Sequence, residues 1–547
     1  MKKSILTITL MLCFLLKITS LNAQSTYSLV YNVFQTNCTF SSCHDNASPI
    51  GGLDLQGSSS SEVYNIIVNQ TPTNSFAVSQ GYKLVYPGDP YRSFLFRKCN
   101  NGLAEDVTLD ASEGTSMPQG GTLRDEEVEL IRQWIIYGAP ESGAVIDTTL
   151  IYDYYNGSGI QSVTEIPPKP DTSEGFQIHL GPFFLEKSEE IEYYSRYDLD
   201  LDTDLEVNRI DVEMGTQYSH HFIIYKYQSG YENQKDDGLR LDNAHYYTDF
   251  VTALQASDSV ILPRGTAFSW PQSTVLDLNS HFINYSSTKV LLCETYVNVY
   301  TQKVGIASQI MKTDLGVNTN IWIPNDGTDY DFSADYYLGS SSYFYIWAMS
   351  SHTHQWGQDY HIFKRSATGV KGDEVFDASR IDGMPGGTFI GYDYQHPPTR
   401  FFQPFLQTKW NEGFVHEATF NNTGTKTVGF GETTEDEMMI MLVMYTDDTS
   451  GIWYTSTEQD KITDISKLTV FPNPFTSSTT IQFDNLPVGD KTLKVYNLLG
   501  EEVATEFIGN TSTGAYLLRK RNLKPGVFVF KIFGDASYLK AGKLIIK

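Results

Sequence analysis

Apolar side chains return every three or four positions between residues 124 and 137, at Val128, Ile131, Trp134 and Ile135. That period predicts an amphipathic helix over Arg124–Tyr137, closed by Gly138 and Pro140. A second helix is predicted over Tyr27–Gln35, just ahead of a Cys pair, and the rest of residues 24–142 reads as loop. Residues 143–167 are polar and rich in Gly, Ser and Pro, the composition of a linker. From about 168 to 455 the period changes to two. Segments such as Phe222–Tyr227 and Met438–Tyr445 read as strands separated by long inserts. After a polar stretch near Thr455–Ser466 a short β-domain runs to the end. No internal repeat governs the pattern.

Composition sharpens this picture. The chain has 547 residues, enough for several domains. It is 40% hydrophobic, which supplies packed cores, and its 13% aromatic content, mostly Tyr and Phe, favours β-structure. A formal net charge of −26 repels nucleic acid and anionic lipid, so neither is expected as a partner. Lys2 and Lys3 precede the apolar run Ile5–Leu16, and small and polar residues follow over Ser20–Gln24. This is the layout of a secretory signal peptide over residues 1–23, with cleavage after Ala23. The run is too short to span a membrane, and no later segment is long and apolar enough to do so. The mature chain is expected to pass through the periplasm and to be soluble, secreted or at the cell surface. Of five Cys, Cys13 leaves with the signal. Cys38, Cys43, Cys99 and Cys293 remain, too few for a disulfide scaffold.

Asn37-Cys38-Thr39-Phe40-Ser41-Ser42-Cys43-His44 has the form C-x4-C-H. In the c-type haem motif C-x-x-C-H two thiols bond the haem and the His takes the iron. The longer loop here still reaches both vinyl groups. Met117 sits just before the last helix of the unit and offers a soft second axial ligand. With Gly51-Gly52-Leu53-Asp54-Leu55, Pro87-Gly88-Asp89-Pro90 and Ser93-Phe94-Leu95-Phe96-Arg97, these residues make 24–142 resemble the cytochrome c-like domains of environmental bacteria. The resemblance implies haem c bound by Cys38, Cys43, His44 and Met117. With both axial positions filled, such a haem transfers electrons. Two alternatives stand beside it. Cys38 or Cys43 pairs with Cys99 in a disulfide and His44 is incidental, or Cys43 alone forms a thioether while Cys38 bonds Cys99.

Eleven His serve the whole chain, yet four fall in two tight motifs, His220-His221 and His352-Thr353-His354-Gln355-Trp356-Gly357. Residues two apart on a strand share a face, so His352 and His354 can chelate one ion. Adjacent His220 and His221 point apart on a regular strand. They share an ion only at a strand end, a bulge or a strong twist. His281 supplies a possible third nitrogen. The run Glu437-Met438-Met439-Ile440-Met441-Leu442-Val443-Met444-Tyr445 offers thioethers, which suit Cu(I) and are poor ligands for zinc, calcium or magnesium. Period two sets Met438 and Met444 on one face and Met439 and Met441 on the other, and most of these Met read as core filler.

The order His-His, His, His-Thr-His-x-x-Gly, then Asp436-Glu437-Met438 resembles the copper type II, ascorbate-dependent monooxygenases, which include peptidylglycine α-hydroxylating and dopamine β-monooxygenases. The resemblance implies a mainly β fold of two tandem, eight-to-nine-stranded jelly-roll-like sandwiches, 168–305 and 306–455, with one copper on each across a solvent cleft. It implies that His220, His221 and His281 hold an electron-relay copper. His352, His354 and Met438 would hold the second, catalytic copper that meets dioxygen. One oxygen atom of O2 would enter a C–H bond of a small organic substrate and the other leave as water. Ascorbate or another external reductant, or the tethered haem, would supply electrons. Two family positions differ here. Ser350 stands where peptidylglycine enzymes carry a carboxylate-gripping Arg, and Ile440 where they carry an Asn, which argues against peptide C-termini as substrates. His179, His245, His361, His396 and His416 read as surface or hydrogen-bonded structural residues. The competing reading of the chain is a non-enzymatic secreted protein that binds copper and haem or carries electrons.

Val470-Phe471-Pro472-Asn473-Pro474-Phe475, Lys494-Val495-Tyr496-Asn497-Leu498-Leu499-Gly500 and Leu523-Lys524-Pro525-Gly526-Val527-Phe528 mark the last domain, 467–547. It resembles the type IX secretion sorting domain, a small Ig-like β-sandwich. The type IX secretion machinery is therefore an expected partner.

Overall fold

A computed structural model describes residues 24–547 apart from 216–217, 243–245, 432–434, 454–468, 484–490, 498–501, 510–513, 522 and 535–536. The expected signal peptide, His245, the polar stretch near 455–466 and the side chain of His220 lie outside the described residues. The chain divides into two compact units, one ending at Ile151 and the other beginning at Tyr152.

In the first unit, α1 (Thr26–Asn37) starts where Ser25 accepts a hydrogen bond from the Ser28 N–H at 3.1 Å. Its Tyr27, Val30 and Phe34 share a buried core with Val128, Ile131, Trp134 and Ile135, the stripe that predicted the last helix of the unit. Three further α-helices precede that one, where loop was expected: α2 (Ser60–Ile67), α3 (Ser75–Ser79) and α4 (Phe94–Cys99). They run five to eight residues and bury at most three side chains each, too little for a period to register. Side-chain caps from Ser59 and Asn74 start the first two. The last helix, α5, runs Asp125–Ile136, with Asp125, Glu126 and Glu127 in its first turn against the positive end of the helix dipole.

Residues 143–167 are not all linker. They contain α6 (Thr148–Asp153) and β1 (Gly159–Gln161), which lies parallel to a later strand over Val290–Leu292. Backbone pairing of this kind is invisible to composition.

The second unit is built of sheets. Its first group of strands is β2 (Gly175–Leu185), β3 (Glu190–Asp198), β4 (Leu205–Glu213), β5 (Ser219–Tyr227), β6 (Gly238–Arg240), β7 (Thr248–Gln255), β8 (Asp258–Ile261), β9 (Thr266–Trp270), β10 (Val275–Ile283), β11 (Val290–Lys303) and β12 (Gln309–Ile310). One sheet has the order β1-β11-β4-β9-β12, with β2 on β11 and β8 on β4, and a second has β6-β3-β10-β5-β7. Phe183 of β2 meets Tyr193 of β3 and Phe282 of β10 edge-on, at 4.9 and 5.5 Å between ring centres, so the two sheets face each other over a core.

The next group is β13 (Lys312–Val317), β14 (Trp322–Ile323), β15 (Asp329–Tyr336), β16 (Tyr343–His352), β17 (Gly357–Arg365), β18 (Lys371–Asp377), β19 (Arg400–Lys409), β20 (Phe414–Asn421), β21 (Val428–Gly429) and β22 (Ile440–Thr446). The sheets β13-β22-β16-β19 and β15-β20-β17-β18 bury one core between them. Met439 and Met441 are in it, as core filler. Among the described residues the two groups thus exceed the eight or nine strands expected of each, because short strands such as β1, β6 and β12 lie at the edges of the first two sheets and β14 and β21 form a separate two-stranded sheet. The regular strand expected from Met438 starts only at Ile440. Further on, a three-stranded and a four-stranded sheet between Thr469 and Ile546 share a core of Ile481, Phe483, Leu493, Val495, Phe530, Ile532 and Leu544. The chain is mainly β, as expected.

Candidate metal sites

Strand β10 puts Leu276, Leu278 and Phe282 on one face and Asp277, Asn279 and His281 on the other. A polar strand face usually meets water. Here it is buried as well, and Asp277 is neutralised by Arg240 at 2.6 Å. His281 sits at the end of this face. On one side its cross-strand partner in β3 is Glu192, with Glu190 two residues away on the same face. On the other side, Ser280 pairs with Phe222 but Phe282 pairs with Ser219. The backbone of both His220 and His221 therefore stands opposite His281 alone. This β-bulge is the irregularity that two adjacent ligands require.

The His221 and His281 rings lie 5.0 Å apart at 70°. His221 Nε2 is 3.3 Å from Glu192 Oε1, and His281 Nε2 is 2.9 Å from Glu190 Oε1. One ligand atom from each of Glu192, His221 and His281 falls within 4.8 Å of the others. Burial works against the Glu192 charge, but the hydrogen bond from His221 and the nearby charges of His221 and His281 hold its pKa down at about 2. It is a carboxylate at neutral pH. Neither Glu carried a signal in sequence, since an acidic residue on a strand is ordinary until its register is known.

The second cluster forms where β16 ends. The His352 and His354 rings are 5.2 Å apart and nearly perpendicular. His352 pairs across the ladder with Ile440. Fully buried Glu437 ties the Met segment to the loop, accepting N–H bonds from His354 at 2.9 Å, Trp356 at 2.7 Å and Met438 at 3.1 Å. Burial pushes the Glu437 carboxyl up to about 7 despite these three donors. His354 Nδ1 donates to the Asp436 carbonyl at 2.9 Å, which leaves Nε2 as the free lone pair. Thr353, between the two His, turns the other way and hydrogen-bonds Tyr392. Gly357 follows from this packing, because a Cβ there would lie 2.1 Å from Thr353 Oγ1. Ser350 donates to the Pro398 carbonyl at 2.8 Å and puts no charge at its position.

The clusters feel each other. Burial, then His354 and His221, and more weakly His281, draw the His352 pKa down to about 3, against the opposing pull of Glu192. Burial likewise lowers His354. Both imidazoles are neutral at pH 7, the state a metal needs.

In the first unit, His44 Nδ1 lies 2.9 Å from the Leu53 carbonyl, so it donates there and Nε2 is available. Met117 packs partly buried against the core that contains Cys38 and Cys99. Cys43 is half-buried. Burial pushes the Cys38 thiol up to about 12, with Cys43 adding to the shift. Burial and the Cys38 charge raise Cys99 too.

The other described His have partners of their own. His179 stacks on Tyr296 and meets Glu294, and His396 pairs with Asp393. His361 bridges Asp359 and Glu374, whose carboxylates raise it to about 9 against the cost of burial. Buried His416 shares a hydrogen bond of 2.6 Å between its Nδ1 and the Tyr360 hydroxyl.

Residues 469–547 match the secretion system C-terminal sorting domain family, here of the type IX pathway. The chain is therefore exported, and secreted or attached at the cell surface. No curated protein matches it. Among solved structures, a Ruminococcus gnavus β-glucuronidase complexed with uronic isofagomine is 11% identical, with 41% of this chain and 35% of that one covered and a TM-score of 0.16. The BSP domain of a biofilm associated protein is 10% identical over 70% and 83%, with a TM-score of 0.13. The VP2 subviral particle of infectious bursal disease virus is 11% identical over 48% and 72%, with a TM-score of 0.14. The chain spans about a third of the glucuronidase's length. No helix among the described residues is long and apolar enough to cross a membrane.

Proposed function

We propose that this protein is a secreted copper-dependent monooxygenase that hydroxylates a C–H bond of a small organic substrate with O2. The observation that carries this reading is the bulge that sets His220 and His221 against His281. Adjacent histidines need such a break in the strand to serve one metal, and bulges of this kind are over-represented next to active sites, where they re-aim a side chain. His220, His221 and His281 would hold one copper, and His352, His354 and Met438 the other. The donor chemistry fits: imidazoles serve both sites, neutral ones at the second, where a thioether adds the soft ligand that retains Cu(I). Copper, when bound, supplies the one-electron chemistry that activates dioxygen. The protein's part is positioning. Asp436 fixes the His354 tautomer, and Glu437 holds His354 and Met438 to one another. Uncharged Ser350 suits a substrate without a carboxylate at that point. The jelly-roll form of the sandwiches belongs to the same proposal.

In the first unit His44 and Met117 would hold the iron of a c-type haem, which would supply electron transfer. The hydrogen bond at His44 Nδ1 orients the ring as a ligand, and Cys43 supplies a thioether. Buried Cys38 bears on the titration of Cys99; both are free thiols in this structure, and a disulfide between them would be the alternative to a second thioether. Electrons for the copper sites would come from the first unit's haem, from ascorbate or from another external reductant. The test is metal and haem content together with oxygen uptake. Two coppers per chain and reductant-dependent O2 consumption are expected, with Met438→Ile abolishing turnover and leaving the haem spectrum intact. One copper or none leaves the non-enzymatic reading in its place, and full activity in Met438→Ile removes Met438 from the site.

A further inference from the structure

We infer that Glu190 and Glu192 are positioning residues for the first copper, each carboxylate taking the Nε2–H of one histidine and leaving its Nδ1 to bind the metal. This rests on the copper reading and adds two residues that none of the sequence motifs contains. Strand β3 presents Glu190 and Glu192 on one face, two residues apart, beside the His281 end of β10. Glu192 Oε1 stands 3.3 Å from His221 Nε2, and Glu190 Oε1 stands 2.9 Å from His281 Nε2. A carboxylate only accepts, so each Nε2 carries the proton. An imidazole protonated at Nε2 offers Nδ1 as its lone pair. The Glu192 side chain is 22% exposed and that of Glu190 46%, so Glu192 is the better shielded of the two. Negative charge one bond behind a ligand raises its basicity and favours Cu(II) over Cu(I). The His352–His354–Met438 site has a backbone carbonyl behind His354 and a thioether in front, which favours Cu(I). The two sites are thereby biased in opposite directions, with the first the more reducing.

The test uses the full chain loaded with copper alone, as wild type, Glu192→Gln, Glu192→Ala and Glu192→Asp. Three quantities are read: Cu(II) affinity by chelator competition, the reduction potential of the first copper, and the pulsed-EPR signal of the remote imidazole nitrogen. Glu192→Ala is expected to weaken one of two coppers by about 10- to 100-fold. Glu192→Gln should raise the potential and shift the remote-nitrogen signal, and Glu192→Asp should restore both. The copper sensitive to Met438→Ile should not respond. Unchanged affinity, potential and nitrogen signal in Glu192→Gln and Glu192→Ala overturns the positioning role while the copper reading stands. A Cu(II) spectrum that loses an oxygen ligand, with the remote-nitrogen signal intact, overturns it in favour of direct ligation. If wild type takes up no copper, both readings fall. Should Glu192→Ala not fold, the Gln and Asp variants still decide.

Discussion

His416 tests whether the second sandwich is packed as described. It sits on β20 with 1% of its surface exposed, beside fully buried Tyr360, whose hydroxyl bonds its Nδ1. Burial lowers its pKa from 6.5 to about 4, with Asp335 opposing weakly. The depressed folded value means that the unfolded chain takes up the proton first as pH falls. The stability concerned is fully present above pH 6.5 and is lost progressively as pH falls through about 4. A shift of this size corresponds to about 3 kcal/mol. The matching perturbation is His416→Asn, whose amide replaces Nδ1 as the hydrogen-bond partner of Tyr360 but does not titrate. At pH 7 the variant should be less stable by about 1–3 kcal/mol from lost ring volume. Below pH 4 that deficit should shrink or reverse, because only wild type forfeits the additional 3 kcal/mol, roughly. Urea unfolding followed by tryptophan fluorescence at several pH values between 7 and 3.5 reads this directly. Parallel pH profiles for the two proteins would refute the burial argument.

Three further outcomes are expected. Asp277→Ala strands the Arg240 guanidinium against the buried face of β10 and should cost about 3–5 kcal/mol in urea unfolding, most of it recovered in an Asp277→Leu/Arg240→Met double variant. On the haem reading, Cys43→Ala should release haem from the denatured chain while Cys38→Ala keeps it covalently bound, as haem-stained denaturing gels would show; equal retention in both would place the thioether elsewhere. A chain lacking residues 469–547 should remain in the periplasm rather than reach the medium or the cell surface, which cell fractionation measures.

Local pattern carried a good deal of this protein. The helices at both ends of the first unit were legible because each lays an apolar stripe on one core, and the shorter ones between were not, since one or two turns cannot establish a period. The strand period marked His352 and His354 as a pair, but β16 ends at His352, and His354 is held in the loop beyond it by Glu437 and the Asp436 carbonyl. The same period marked Met439 and Met441 as filler. The sorting tail was readable from its motifs.

Adjacent His220 and His221 show where local pattern stops. Sequence set the condition for their use, a break in the strand, but whether β5 bulges depends on its pairing with β10 some sixty residues later. Glu190 and Glu192 lie about ninety residues before His281, and nothing near them in the chain marks them as anything but surface acids. Glu437 looked like part of the Met motif and proved to be the clasp that holds it to the His loop. Sequence by itself determined which residues have the chemistry of metal ligands, because that is a property of side chains and short-range period. Only the tertiary structure decided which groups stand beside those side chains, because strand register and bulges arise from contacts between segments that are remote in the chain.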